Sequence, residues 1–287
     1  MLQALAKKIR KVNFLVLIIL AVVLYLMFFY SYNRFRNREQ VYVVAVMSGG
    51  GNIEVAVPYW VADSINVGDK DLGVFGQINA EVIDIESYEG GGQGKHVVLL
   101  MKVNTTKDRS GQYLFKNKPL ALNWWIDTRL GNTSYGVTVI YLDKNPPHFE
   151  KKLLRVVVRR KNDEIIFADN IKVGNEMKNN KGEIMAKLID KKVTPAEVHS
   201  VTAGGQAVVS YDQSRRDMDL TVDLLAKKIN DTFYFAEIKK IKLGETINLH
   251  FKETSLWDSQ IIKVSEIEQP SKTSSGFIIN TLMRYLI

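Results

Sequence analysis

The stretch whose outline comes nearest to chemistry is Glu89-Gly90-Gly91-Gly92-Gln93-Gly94-Lys95-His96. A phosphate loop, GxxxxGK[ST], cradles phosphates on backbone N–H groups, sets a Lys on the outer phosphates and a hydroxyl on magnesium. Here Glu89 stands in place of the first Gly and His96 in place of the hydroxyl, and no strand-loop-helix context surrounds them. The segment reads as a hairpin tip. Ser48-Gly49-Gly50-Gly51-Asn52 is a second glycine-rich loop after a strand, and it reads as a turn.

The four histidines, His96, His148, His199 and His250, are scattered, and none sits in an HxH or HExxH spacing, so no metal is assigned. Absence of cysteine removes disulfides, thiolate metal sites and every Cys nucleophile. Around Ser48, Ser110 and Ser134 there is no GxSxG or SxxK pattern. Asp63 and Asp169, and likewise Asp84 and Asp190, recur at matching positions, which fits turn capping better than a duplicated acid/base site. No catalytic residue and no cofactor follow. The candidates for contact with a partner or ligand are Trp124 and Trp125, adjacent in a strand so that one faces outward, and Phe277 and Tyr285 near the C-terminus.

The elements that would position these residues are duplicated. Ala62 to Asp84 reads ADSINVGDKDLGVFGQINAEVID, and Ala168 to Asp190 reads ADNIKVGNEMKNNKGEIMAKLID. The two align without a gap, with Ala62/Ala168, Asp63/Asp169, Ile65/Ile171, Val67/Val173, Gly68/Gly174, Gly76/Gly182, Ile78/Ile184, Ala80/Ala186, Ile83/Ile189 and Asp84/Asp190 identical. Further on, Trp125-Ile126-Asp127-Thr128 falls against Phe251-Lys252-Glu253-Thr254. Gly68-Asp69 and Gly174-Asn175 predict tight turns, since Gly accepts positive φ and Asp or Asn bonds nearby backbone. Gly76 and Gly182 predict the start of the next strand at a bulge or close crossing.

Period-two alternation in GxIxAxVxD and GxIxAxLxD places Ile78, Ala80 and Val82, or Ile184, Ala186 and Leu188, on one strand face. Further strands are expected over 97–103, 120–127, 136–142, 155–159, 218–225, 240–253 and 260–267. The expected fold is all-β: an N-terminal transmembrane helix followed by two tandem homologous small β-barrel or β-sandwich domains. The boundaries are a basic tail over 1–11, the helix over 12–32, a first β domain over 41–143, a Pro-containing linker over 144–152 and a second β domain over 153–268. A polar linker and apolar tail occupy 269–287.

From Phe14 to Tyr30 the sequence FLVLIILAVVLYLMFFY has no charge, Gly or Pro, and with its flanks it reaches about 20 residues, the length of a bilayer span. FFYSYNRFRNRE follows, not the small residues of a cleavage site, so the expectation is an uncleaved signal anchor. Lys7, Lys8, Arg10 and Lys11 precede it and Arg34, Arg36 and Arg38 follow; the short basic N-terminus favours a cytoplasmic N-terminus with the bulk of the chain outside. These seven charges nearly account for the net charge of +8, which argues against nucleic acid as a partner.

On the repeated VGD/VGN step followed by GxIxAxVxD, behind one N-terminal span, the chain resembles a bacterial family of membrane-anchored β proteins of unknown function. The resemblance covers most of 12–142 and returns more weakly over 154–267, with Asn175 in place of Asp69 and extra residues around Asp212 to Arg216. It implies topology and no functional residue. In outline the chain is also similar to subunits of lipid-transport and membrane-fusion assemblies. The expected function is a membrane-anchored, non-enzymatic scaffold or adaptor of a cell-envelope complex, docking other proteins or itself. The alternative is a lipid- or glycan-binding module of an envelope transport system.

Overall fold

The computed structural model describes residues 14–36, 38–47, 52–92, 94–131, 133–229 and 231–267. The loop 48–51, the basic tail, and Phe277 and Tyr285 with the apolar C-terminal segment lie outside the described residues. After α1 (Phe14–Arg36), the first copy runs through β1 (Arg38–Met47), β2 (Val57–Pro58), α2 (Tyr59–Ala62), β3 (Lys70–Leu72), β4 (Ile78–Glu89), β5 (Gly94–Lys107), β6 (Tyr113–Phe115), β7 (Lys118–Pro119), β8 (Trp125–Leu130) and β9 (Thr133–Asp143). The second copy runs through β10 (Glu150–Glu164), α3 (Ile165–Asn170), β11 (Glu176–Lys178), β12 (Ile184–Val201), β13 (Ala207–Ile229), β14 (Thr232–Phe235), β15 (Lys239–Lys240), β16 (Thr246–His250) and β17 (Ser255–Glu266).

All pairing is antiparallel, and the strand orders match: β3-β4-β5-β1-β9-β8 in one sheet and β11-β12-β13-β10-β17-β16 in the other. The first is a near-closed barrel and the second a half-barrel. The duplication therefore extends to topology. It also corrects one alignment: Trp125 pairs with Thr138 as Thr246 pairs with Gln260, so the counterpart of β8 is β16, and Phe251 to Thr254 forms the turn after it.

The glycine turns are clips. Gly68 (φ 93°) donates its N–H to the Val82 carbonyl at 2.8 Å, and Val82 N–H returns to the Asp69 carbonyl at 2.9 Å. Gly174 (φ 93°) and Asn175 do the same with Leu188, at 2.8 and 2.9 Å. Each clip holds the residue before a β-bulge, Val82/Asp84 or Leu188/Asp190. Two further clips were not foreseen: Asn123 and Trp124 hold Val139, and Gly244 and Glu245 hold Ile261. Their shared pattern is a buried Ile or Leu, any residue, an exposed Val or Leu, then Gly or Asn: Ile65, Leu120, Ile171 and Ile241 start the four. These clips interrupt the continuous strands expected over 120–127 and 240–253. Gly76 and Gly182 have φ of 75° and 80° with open space where a Cβ would stand, so they serve turn conformation, not a bulge or close crossing.

β1 explains how the copies join. Val41, Val43, Ala45 and Met47 point into the barrel, whereas Val44 and Val46 point outward and are buried too. With Val98 of β5 they enter one hydrophobic core with Leu154, Val156, Leu220, Val222 and Leu249 of the second copy. The half-barrel is closed by the outer wall of the first copy. A strand buried on both faces needs a continuous apolar run, which VYVVAVM supplies.

The first barrel closes on its own side, where β3 lies against β8. The fully buried Asp71 accepts from Arg129 N–H at 2.7 Å, from Asn79 Nδ2 at 3.0 Å and from Lys116 Nζ. The aligned residue of the second copy is Met177, which has no such bonds to offer.

All described side chains of α1, Val16 to Phe29, are exposed. Among the described residues, no helix is long and apolar enough to cross a membrane. Val12 and Asn13 of the expected 12–32 span are outside the described residues.

Candidate functional site

Apart from Asp71, the buried ionisable groups gather at the seam between the copies. The turn after β11 docks on the free edge of β4: Asn180 N–H donates to the Ser87 carbonyl at 2.7 Å, Ser87 N–H to Asn180 Oδ1 at 2.9 Å, and Lys181 Nζ meets Asp84 Oδ2 at 2.5 Å. The recurrent Asp84 thus binds the other copy instead of capping a turn alone. Deeper, Lys227 Nζ lies between Glu86, at 2.6 Å, and Glu237. Burial opposes the Lys227 charge, yet Glu237 and Glu86 hold its pKa above the ordinary value. Burial pushes the Glu237 carboxyl up to about 7, against the pull of Lys227. Two carboxylates facing one ammonium in a low-dielectric site cannot both be compensated, so the more buried one takes the proton first. Tyr88 OH donates to the Ala236 carbonyl at 3.1 Å, and burial drives its pKa well above the usual phenol.

Beside this cluster His96 from the first copy stacks on Tyr88, centroids 5.3 Å apart, and His250 from the second meets Trp257 edge-on at 4.5 Å. They are 8% and 3% exposed, and burial lowers both pKa values to about 4. Glu54 works against the shift at His96, and His96 adds to it at His250. Nδ1 of His96 and both ring nitrogens of His250 have no protein partner. The cavity they line, with Glu54, Lys239 and Asn248, is about 40 Å³, room for a few waters. Gly91 (φ 77°) completes the contact, because a Cβ there would meet Trp257 and His250 at 2.5 and 2.6 Å. The loop that superficially resembled a phosphate site is thus packed against the second copy. Among the described residues, no group of three or more His, Asp or Glu is placed to hold a metal.

A larger cleft of about 670 Å³ opens between Asn175, Glu176 and Lys178 on one side, Phe251 to Glu253 on the other, and Tyr59 and Glu89 of the first copy. It is of ligand size, with mixed lining.

Trp124 and Trp125 are both half-exposed at the second clip of the first copy, and the Trp125 ring lies over the backbone of Gly136. They take no part in the core between the copies. Of the turn residues, Gly68, Asp69, Gly174 and Asn175 build clips, and Asp69 Oδ2 also accepts from Asn66 N–H at 2.8 Å.

Two surfaces were missed by sequence reasoning. β12 and β13 extend past the sheet as a two-stranded arm over residues 196–212, where the strands pair only with each other among the described residues. Val198 to Tyr211 carries no Lys, Arg, Asp or Glu, and Val201, Val209 and Tyr211 are exposed. The extra residues around Asp212 to Arg216 were the signal for it. The other surface is Val74-Phe75, in the turn between β3 and β4, each 94% exposed. The aligned Asn180-Lys181 of the second copy would have exposed that contrast.

No protein-family model, curated protein or solved structure matches the chain.

Proposed function

We propose that this chain is a membrane-anchored, non-enzymatic scaffold or adaptor of a cell-envelope complex, held in the bilayer through residues 12–32, with its tandem β domains outside the cytoplasm. The observation that carries the reading is the arm over 196–212, a two-stranded ribbon uncharged from Val198 to Tyr211, projecting from a body whose two copies share a core across their seam. An isolated hairpin is marginal in water, and unpaired edges without Lys or Pro gatekeepers invite a partner strand. A body whose copies are joined by a shared core can space its partners at a fixed distance.

The experiment is gentle detergent extraction of the tagged full chain, beside a variant whose residues 198–210 are replaced by Asn-Gly, a two-residue hairpin. The reading expects stoichiometric envelope proteins with the parent chain and their loss from the variant. Protease added to intact cells should cut the β domains; protection until the membrane is broken reverses the orientation.

The second reading, a lipid- or glycan-binding module, rests on the cleft of about 670 Å³ beside Asn175 and Phe251. A lone chain that carries lipid or glycan after extraction would put this reading first.

A further inference from the structure

The Val74-Phe75 turn sits at a defined end of the first barrel. β1 begins at Arg38, opposite Thr106 near the end of β5, with Gln40 opposite Asn104. Asn104 Nδ2 donates to the carbonyl of Ile78, the first residue of β4, at 2.8 Å. Leu72 and Ile78 are the last pair before the turn. The turn therefore projects past the level of Gln40 toward Arg38, the end of the barrel at which α1 enters two residues earlier.

At this end, Leu72, Val74 and Phe75 are exposed together. Such a tip is costly in water. The neighbouring charges are mixed: Lys70 faces Glu81 at 3.9 Å, and Lys107 and Lys144 lie 2.9 and 3.2 Å from Glu39. The patch is apolar at its apex, and each of these lysines is paired with a glutamate, Glu39 taking two. In the second copy the same turn holds Asn180 and Lys181, whose polar groups are spent on the edge of β4. A turn that docks on protein is polar, whereas the one directed toward the α1 end is apolar.

We propose that Val74 and Phe75 form a second membrane contact, an apolar wedge inserted at the headgroup–acyl boundary of the bilayer that holds α1. It rests on the anchor reading above. With the helix as one attachment and the wedge as the other, the first barrel is fixed in tilt against the lipid surface. The tandem and its arm then point in one direction. Because the surrounding lysines are already paired with carboxylates, insertion is driven by apolar burial and does not require anionic lipid.

The chain has no cysteine, so one introduced cysteine takes a nitroxide label cleanly. The full chain is reconstituted in neutral phosphatidylcholine vesicles with the label at Leu20→Cys, Val74→Cys or Lys181→Cys, and probe depth is measured by oxygen against an aqueous nickel complex. The expected result is deep lipid at position 20, a probe about 5 to 10 Å inside the interface at 74, and water or protein at 181. Phe75→Asp added to the Val74→Cys chain returns the probe to water. An aqueous probe at 74 with a lipid-buried probe at 20 overturns the wedge and leaves the anchor standing. Loss of lipid contact at 20 overturns both. A probe at 74 shielded from oxygen and nickel alike means protein covers the turn, which also overturns the wedge.

Discussion

The outer walls of the two copies differ in one consistent way. The β-bulges set the correspondence: Val44/Ala45 against β9 matches Val157/Val158 against β17. Tyr42, Val44 and Val46 of the first wall therefore stand where the second has Arg155, Val157 and Arg159. In the first copy this wall is apolar and covered by the half-barrel. In the second, Arg155 and Arg159 make two-pronged ion pairs with Asp223 and Asp219, with closest contacts of 2.7 Å, in solvent. One strand position is thus an interface in one copy and a cap in the other. With Arg155 and Arg159 on either side of Val157, the second wall offers no continuous apolar face for a further half-barrel to close on.

Exchanging these residues gives the largest expected effect. Val46→Arg places the second copy's residue on the covered wall and buries a charge without a partner. A loss of at least about 4 kcal/mol is expected in urea unfolding. The reverse exchange, Arg159→Val, removes one exposed ion pair and is expected to cost under about 1 kcal/mol. Equal effects would show that the walls are not different environments.

Next in size is the buried cluster that only the junction creates. Lys227→Met leaves Glu86 and Glu237 without their ammonium and is expected to cost about 3 to 5 kcal/mol at pH 7. The double variant Lys227→Met, Glu237→Gln should recover a large part of it, since one uncompensated charge is gone. Chemical denaturation of the single and double variants measures the coupling.

The pH dependence is smaller and has a definite sign. His96 and His250 ionise at 6.5 when unfolded and about 4 when folded, so the unfolded chain holds more protons between those values. Stability falls as pH falls through that window, by up to about 1.4 kcal/mol per unit for each histidine. Glu237 acts the other way: its folded value of about 7 exceeds the ordinary 4.5, so its contribution weakens as pH rises between them. Two histidines outweigh one carboxyl between about pH 4.5 and 6.5. Midpoints in urea should drop on acidification there, His250→Phe should cancel most of the slope and Glu237→Gln should steepen it.

Much of this architecture was legible because local chemistry dictates it. Gly68 and Gly174 need positive φ, and the identical residues around them gave away the duplication without a structure. The clip at Asn123 escaped because Asn meets the same need (φ 61°) without announcing it. β16 was misaligned because Trp125 and Phe251 look alike in sequence while backbone pairing decides the match. The seam was unreadable for another reason: Glu86 lies 141 residues from Lys227, and only the docking of a half-barrel on a foreign wall brings it to Lys227 and Glu237. The outward Val44 and Val46 of β1 belong to the same difficulty, since burial of their face depends on the second copy.

Two copies of one fold that share a core across β1 should unfold as a single cooperative body. Hydrogen exchange resolved by peptide, on the full chain in lipid across a urea series, tests it most directly. Amides of β5 and β13 are expected to share one largest opening free energy and to lose protection at the same urea concentration. Loss of protection in β13 at clearly lower urea, with β5 unchanged, would contradict it and leave two independent domains on a tether.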